Sequence, residues 1–93
     1  MVAVFAESLT VFTLCTEAEP QAMPRVLEQF ALRSLVPARW TAERRGEVLA
    51  IRVEVAELDT EVARVLFARL GQLCGVQEVD MRPPLAKGRL TAA

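Results

Sequence analysis

The segment from Val48 to Val55 alternates cleanly between two kinds of side chain. Its odd-numbered positions are all branched and aliphatic: Leu49, Ile51, Val53 and Val55. The even-numbered positions are aliphatic, small or charged: Val48, Ala50, Arg52 and Glu54. A two-residue period rich in β-branched side chains is typical of a strand with one buried face. We therefore predict the central strand of an antiparallel sheet, with helices packed against its odd-numbered face.

A first strand is predicted from Leu9 to Cys15, where β-forming residues are dense. It can begin earlier, because Val2, Val4 and Phe5 would extend the pattern. The larger pair, Phe12 and Leu14, is expected to face the helices, which leaves Val11, Thr13 and Cys15 on the open face. The next six residues, Thr16–Gln21, break the alternation and are predicted to form a loop.

Helical spacing follows this loop. The apolar stripe of the first helix comprises Met23, Val26, Leu27, Phe30 and Ala31. Pro24 suits only the first helical turn, so we predict that the helix begins near Met23 or Pro24, with Pro20 in the loop. Its end is expected near Ser34, because a residue that precedes a proline, here Val36, disfavours helical dihedral angles.

The remaining elements follow in order. Alternation from Ala38 to Glu43 predicts a second strand that begins after Pro37 at a sheet edge. A turn over residues 43–47, in which Gly46 can adopt positive φ, joins it to the central strand. Whether Trp40 belongs to the core or to an interface stays open. A second helix is expected after a cap at Asp59 or Thr60, with Gly75 as a better stop signal than Gly71. Its apolar stripe comprises Val62, Ala63, Leu66, Phe67, Leu70 and Leu73, and the last strand runs from Val76 to Met81 with Val79 and Met81 inward.

The predicted order of elements is strand, helix, strand, strand, helix, strand. Both strand–helix–strand halves should cross over with a right hand, which places both helices on one face of the sheet. Strands one and three are then central, and strands two and four form the edges. This is the α+β ferredoxin-like βαββαβ sandwich with a four-stranded antiparallel sheet. We expect a single domain over residues 1–93, with a core from about 8 to 82 and a frayed tail from 83 to 93.

Charge and hydropathy argue against several kinds of partner. The formal net charge of −1 offers no basic excess for nucleic acid or an anionic membrane surface. No apolar segment approaches the roughly 20 residues of a membrane-spanning helix, and the apolar start of the chain has no positive region of the signal-peptide kind. We therefore expect no nucleic acid, no membrane and a cytoplasmic location.

The residues that usually carry catalysis are scarce. Histidine is absent, so the commonest general base and metal ligand is missing. Cys15 and Cys74 lack C-x-x-C spacing, and we predict two buried free thiols rather than a disulfide. Ser8 and Ser34 have no histidine to activate them. We expect a non-catalytic protein without cofactor or metal, whose hydrophobic content of 53% suggests a surface for a protein partner.

Two segments resemble a known family. The segment Glu19–Glu28 resembles the start of the first helix of ACT domains, especially in the short small regulatory subunits of acetolactate synthase. The segment Val62–Leu73, followed by Val76 and Val79, is similar to the second helix and last strand of those subunits. The resemblance extends over about Thr10–Met81.

The resemblance implies where a ligand would bind. ACT domains bind small ligands, often amino acids, where two domains meet, through the loop after strand one and the start of helix one. A helix start offers free N–H groups that suit a carboxylate. Transferred by position, the ligand-binding candidates are Glu19, Gln21, Ala22 and Met23. The unpaired edges of the sheet predict a two-fold homodimer, with sheets joined side by side or packed face to face.

Three functions follow from the fold and the resemblance. In the first, the chain dimerises and docks on the thiamine-diphosphate-dependent catalytic subunit of acetolactate synthase, in branched-chain amino acid biosynthesis, and raises its activity. In the second, it is a free-standing ACT module that binds an amino acid or serves only in assembly. The third is a small enzyme of acylphosphatase type. It ranks lowest because the loop after strand one lacks an anion-cradling arrangement with a paired arginine.

Overall fold

The computed structural model describes residues 8–83 and contains four strands and two helices. In chain order these are β1 (Leu9–Glu17), α1 (Ala22–Ala31), β2 (Arg39–Arg45), β3 (Val48–Ala56), α2 (Thr60–Gly71) and β4 (Val76–Arg82). The strands form one sheet in the order β2-β3-β1-β4, with every neighbouring pair antiparallel. This confirms the predicted α+β ferredoxin-like fold and its central and edge strands. An earlier start of strand one at Val2 and most of the tail lie outside the described residues.

The core lies between the two helices and one face of the two central strands. Phe12 and Leu14 of β1 pair with Val53 and Ile51 of β3, and all four are buried. Burial alternates along both strands, because successive side chains point to opposite faces of a sheet. The predicted inward faces of strands one and three are therefore confirmed.

Helix α1 buries a different stripe from the predicted one. Its buried residues are Ala22, Val26 and Phe30, spaced by four, whereas Met23 and Leu27 are 39% and 40% exposed. The helix begins at Ala22, and the small side chain of this residue joins Val26 and Phe30 in the row that faces the sheet. Met23 and Leu27 lie on the flank of α1, and Ala31 is exposed. The prediction that these three residues belong to the core stripe is wrong.

Several element ends differ from the prediction. Strand β1 continues through Thr16 to Glu17, which were expected in the loop. Helix α1 ends at Ala31 and leads through a turn to Ser34, whose φ of +59° cannot continue a right-handed helix. The predicted cap Asp59 does precede α2, although its side chain makes no capping hydrogen bond.

Two glycines turn the chain between elements. Helix α2 ends at Gly71, four residues before the predicted stop at Gly75, which instead adopts a φ of +90° just before β4. The predicted turn over residues 43–47 is too long, because Glu43, Arg44 and Arg45 continue β2 in register with β3. Only two residues form the β2–β3 turn, and Gly46 adopts a φ of +67° there. The predicted positive φ at Gly46 is confirmed.

The structure also locates three residues whose environment the sequence left open or misplaced. Trp40 is half-buried and packs against the core from the edge strand. Both cysteines are free thiols, as predicted, and Cys15 is half-buried. Cys74 is exposed because it lies in the connection between α2 and β4, so its predicted burial is wrong. In residues 8–83, neither helix is long and apolar enough to cross a membrane.

Candidate functional site

The start of α1 is closed by a carboxylate from its own chain. Gln21 precedes the helix and its side chain makes no capping hydrogen bond. Instead, the backbone N–H of Gln21 donates to Oε1 of Glu19 at 3.1 Å. The other oxygen of Glu19, Oε2, lies 2.9 Å from Nη1 of Arg25 in an ion pair. Glu19 thus satisfies a free donor at the helix start, where negative charge is favoured.

Arg25 links this helix start to the other half of the fold. Its Nη1 also donates to the carbonyl oxygen of Cys74, in the α2–β4 connection, at 3.2 Å. The side chains of Glu19 and Arg25 are only about one third exposed, at 34% and 33%. We call the set formed by Glu19, the Gln21 N–H, Arg25 and the Cys74 carbonyl the Glu19–Arg25 network. The crevice beside it, lined by Thr16 and Val26 among others, has no room for a water molecule.

The structure brings the four predicted ligand-binding residues together at the start of α1. Glu19 and Gln21 contribute to the Glu19–Arg25 network, and Ala22 is buried with its N–H donating to the Glu19 carbonyl oxygen at 3.0 Å. Met23 presents an apolar side chain on the helix flank, and Pro24 has no N–H. Two of the donors expected to meet a carboxylate are therefore already paired. That these four residues bind a ligand stays a prediction.

The charge around this loop is mostly negative. A shallow depression of about 410 Å³ beside the loop is lined by three carboxylates, from Glu17, Glu19 and Glu47, and by one guanidinium, from Arg44. Like charges repel, so the depression favours a cationic or neutral group over a free carboxylate.

The role of Arg25 is not predicted by the sequence pattern. Arg25 lies six positions after Glu19 and not at the helical spacing of three or four that marks an ion pair within a helix. The available signal was a carboxylate two residues before the helix, which suits the helix start electrostatically. Its contact with Cys74 depends on how the two halves pack and has no local signature.

The open face of the sheet forms a second, broader concavity of about 850 Å³. It is lined by side chains of all four strands, among them Thr13, Cys15, Thr41, Arg52 and Asp80. Arg52 is held by Glu54, whose Oε2 accepts from its Nε at 3.0 Å. No group of three acidic or thiol side chains suited to a metal ion occurs within residues 8–83. This face presents hydroxyl groups, a thiol and charged groups, among them the Arg52–Glu54 pair.

The fold and the closed helix start define a small βαββαβ module. The chain belongs to the ACT-like domain family, whose sequence profile matches residues 4–88. ACT-like domains are regulatory modules that bind small ligands, are found in many proteins and are in general not catalytic; they commonly dimerise and bind amino-acid effectors. The predicted resemblance to ACT domains is thus confirmed at the level of the family.

Solved structures agree on the fold. The ACT domain from GTP pyrophosphokinase of Chlorobium tepidum superposes with a TM-score of 0.71 at 10% identity, covering 82% of this chain and 99% of that one. An uncharacterized protein from Thermotoga maritima gives a TM-score of 0.67 at 23% identity, covering 83% and 96%. A homoserine dehydrogenase from Thiobacillus denitrificans gives 0.67 at 14% identity, covering 88% of this chain and 18% of that one. No curated protein matches the sequence.

Proposed function

We propose that this chain is a non-catalytic regulatory subunit that dimerises in the cytoplasm and docks on a separate catalytic subunit. In its specific form, the proposal names the catalytic subunit as the thiamine-diphosphate-dependent acetolactate synthase of branched-chain amino acid biosynthesis. This specific form is supported by the resemblance of Glu19–Glu28 and Val62–Leu73 to the small subunits of that enzyme.

The Glu19–Arg25 network is the observation that carries the proposal. In many binding modules the start of a helix is the natural receptor for a ligand carboxylate. Here the chain supplies its own carboxylate from Glu19, and the neighbouring crevice is too narrow for a water molecule. A single chain is thus poorly prepared to hold a free amino acid. Action through contacts with other polypeptides is then the regulatory role that fits the family.

Exposed apolar side chains support docking. Large hydrophobic residues with substantial exposure occur on both helices and in the α1–β2 connection: Met23, Leu27, Leu32, Val36 and Val65. Val36 is the most exposed of them at 86%. Such side chains are commonly covered by a protein partner when they cluster.

Co-purification and enzyme assays test the proposal directly. The chain is mixed with the acetolactate synthase catalytic subunit of the same organism, and acetolactate formation is measured at saturating pyruvate and thiamine diphosphate. We expect the two to co-elute from a sizing column and the rate to rise with added chain until the catalytic subunit is saturated. Heat-denatured chain is the control. No co-elution together with an unchanged rate would overturn the acetolactate synthase proposal.

A calorimetric titration separates docking from free-standing sensing. Valine, leucine and isoleucine are each titrated into the wild-type chain and into Glu19→Gln, which weakens the ion pair with Arg25. We expect no saturable heat with the wild type. Saturable binding to the wild type would instead favour the free-standing amino-acid-binding module. A changed affinity in Glu19→Gln would then support a site at Glu19, Gln21, Ala22 and Met23.

A further inference from the structure

The two buried threonines of β1 differ in how their hydroxyl groups are satisfied. Thr10 and Thr16 face the helices, and each is only 2% exposed. The hydroxyl of Thr16 donates to the carbonyl oxygen of Glu17 at 3.0 Å. Within residues 8–83, the side chain of Thr10 takes part in no hydrogen bond. Burial of an unpaired hydroxyl costs free energy, so the hydroxyl of Thr10 is a group that a ligand can satisfy.

The hydroxyl of Thr10 opens into a pocket of about 180 Å³. In the described part of the chain, every fully buried polar side-chain atom has a partner, so the unpaired Thr10 hydroxyl keeps contact with this pocket. The pocket lies where β1 begins, whereas the Glu19–Arg25 network lies beyond the other end of that strand. Its walls are mostly apolar and are formed by Leu58, Ala63, Met81 and Pro83.

The polar groups that line this pocket suit an anion. Among the described residues, these groups are the hydroxyls of Thr10 and Thr60 and the guanidinium of Arg64. The Nη1 atom of Arg64 lies 3.9 Å from Oε2 of Glu61, which is beyond hydrogen-bond distance. A guanidinium carries a positive charge and only donates hydrogen bonds. The lining therefore favours a negatively charged acceptor, and it offers no carboxylate to an ammonium group.

The start of α2 adds backbone donors beside the pocket. Thr60 is the first residue of α2, and Asp59 before it makes no side-chain capping hydrogen bond. The first bond along the helix joins the Ala63 N–H to the Asp59 carbonyl oxygen at 2.9 Å, so the N–H groups of residues 60–62 have no backbone acceptor in the described chain. Such N–H groups and the helix dipole attract an anion. The nearby carboxylates are exposed and outside the pocket lining: Glu57, Asp59 and Glu61.

We propose that this pocket binds a short-chain aliphatic monocarboxylate, with its carboxylate at Thr10, Thr60 and Arg64 and its alkyl tail against the apolar walls. A cavity of about 150 Å³ accepts benzene, so a pocket of about 180 Å³ accepts an acid of about five carbon atoms. An α-amino acid is disfavoured, because its ammonium group would be buried without a carboxylate partner. The inference goes beyond the proposed function and depends on neither dimerisation nor docking.

Calorimetric titration of the full chain tests the class of ligand. The probe is isovalerate, and valine has the same carbon skeleton with an added ammonium group. Isoamyl alcohol keeps the tail without the charge, and acetate keeps the charge without the tail. We expect saturable binding of isovalerate and at least about tenfold weaker binding of the other three compounds. Absence of saturable isovalerate binding, or equal or tighter binding of any of the other three, would overturn the proposal.

Matched substitutions test the location of the site. Thr10→Val removes the hydroxyl but keeps a branched side chain, and Arg64→Gln removes the charge. We expect each to weaken isovalerate binding by about tenfold, because each removes a hydrogen bond to the carboxylate. Thr16→Val, at the paired threonine, and Arg69→Gln, near the end of the same helix, should leave the dissociation constant unchanged. Urea unfolding checks that the variants are folded, and unchanged affinity in Thr10→Val and Arg64→Gln would overturn the site.

Amide chemical shifts distinguish this site from the start of α1. Isovalerate added to the isotope-labelled chain should shift the N–H signals of Thr10, Thr60 and Ala63 and leave that of Gln21 in place. Shifts centred on Gln21 would place the acid at the first helix and would contradict the proposed pocket. Co-elution with the catalytic subunit is measured without isovalerate, so failure of the docking proposal and failure of this one are distinguishable.

Discussion

Gly46 is the residue on which the β2–β3 hairpin depends most. Its φ of +67° begins a two-residue turn, and Glu47 after it has no positive φ. Glycine at the first turn position matches a type II′ hairpin, whose twist suits the flanking strands. A side chain added there would meet no neighbouring atom within 4 Å, so any cost of substitution is conformational.

We predict that Gly46→Ala destabilises the fold by about 1–2 kcal/mol, because a Cβ is disfavoured at positive φ. Urea unfolding followed by circular dichroism measures the change. Glu47→Ala, one position later in the same turn, is the matched control and should stay within about 0.5 kcal/mol of the wild type. Equal effects of the two substitutions would contradict this account of the turn.

Side-chain directions could be predicted from the sequence only where the period is unambiguous. The alternation of β3 fixed which residues face the helices, and Phe12 and Leu14 followed by size. The stripe of α1 was not predictable in the same way, because Ala22, Met23, Val26 and Leu27 are all apolar. Which of them faces the sheet depends on a rotation set by tertiary packing. The contact of Arg25 with Cys74 is likewise a product of packing between distant segments.

At the scale of elements, β1 and α1 are joined by an aromatic contact. The rings of Phe12 and Phe30 are both buried, with centroids 5.6 Å apart and planes at 82°, an edge-to-face arrangement. Aromatic pairs of this geometry stabilise beyond the apolar area that they bury. The contact therefore helps to fix the position of α1 relative to β1.

A double-mutant cycle should detect this contact. We predict that Phe12→Leu and Phe30→Leu together cost less than the sum of the two single substitutions, by a coupling of about 0.5–1.5 kcal/mol. Chemical unfolding of the four proteins gives the coupling. A control cycle combines Phe12→Leu with Phe67→Leu, at a half-buried residue of α2. The two losses of stability should be additive in this cycle. A coupling of zero between Phe12 and Phe30 would mean that the edge-to-face geometry adds no stability beyond that of the buried apolar area.

Element order was predictable, whereas several element ends were not. Apolar residues recur every second position in the strands and every third or fourth position in the helices. This difference distinguishes the two kinds of element in the sequence. Ends depend on single backbone conformations such as the positive φ of Ser34. The proline at position 37 indicated that α1 ends near Ser34, but not that its last helical residue is Ala31.

At the scale of the whole molecule, folding and association should be linked. A chain of 93 residues has a small core, so a partner that binds only the folded state contributes a large share of the stability. We predict that the melting temperature of the wild type rises by a few degrees for each tenfold increase in protein concentration. Differential scanning calorimetry measures it. A melting temperature of the wild type that does not change with protein concentration would contradict the dimer.

The whole fold followed from the sequence because the sheet order is constrained by handedness. Two right-handed crossovers leave one arrangement of four strands with both helices on the same side. The location of the candidate ligand loop followed from the family resemblance. The ion pair that closes that loop depends on the position of the Arg25 side chain in the folded protein. The sequence pattern does not predict this position.

The acidic side chains of β4 have a consequence for how large an assembly this protein can form. Glu78 and Asp80 lie opposite Cys15 and Thr13 of β1, on the open face of the sheet. A second copy of β4 paired along this edge would bring carboxylates of the two copies close together, and like charges disfavour such pairing. Growth of an assembly through this edge is thereby discouraged.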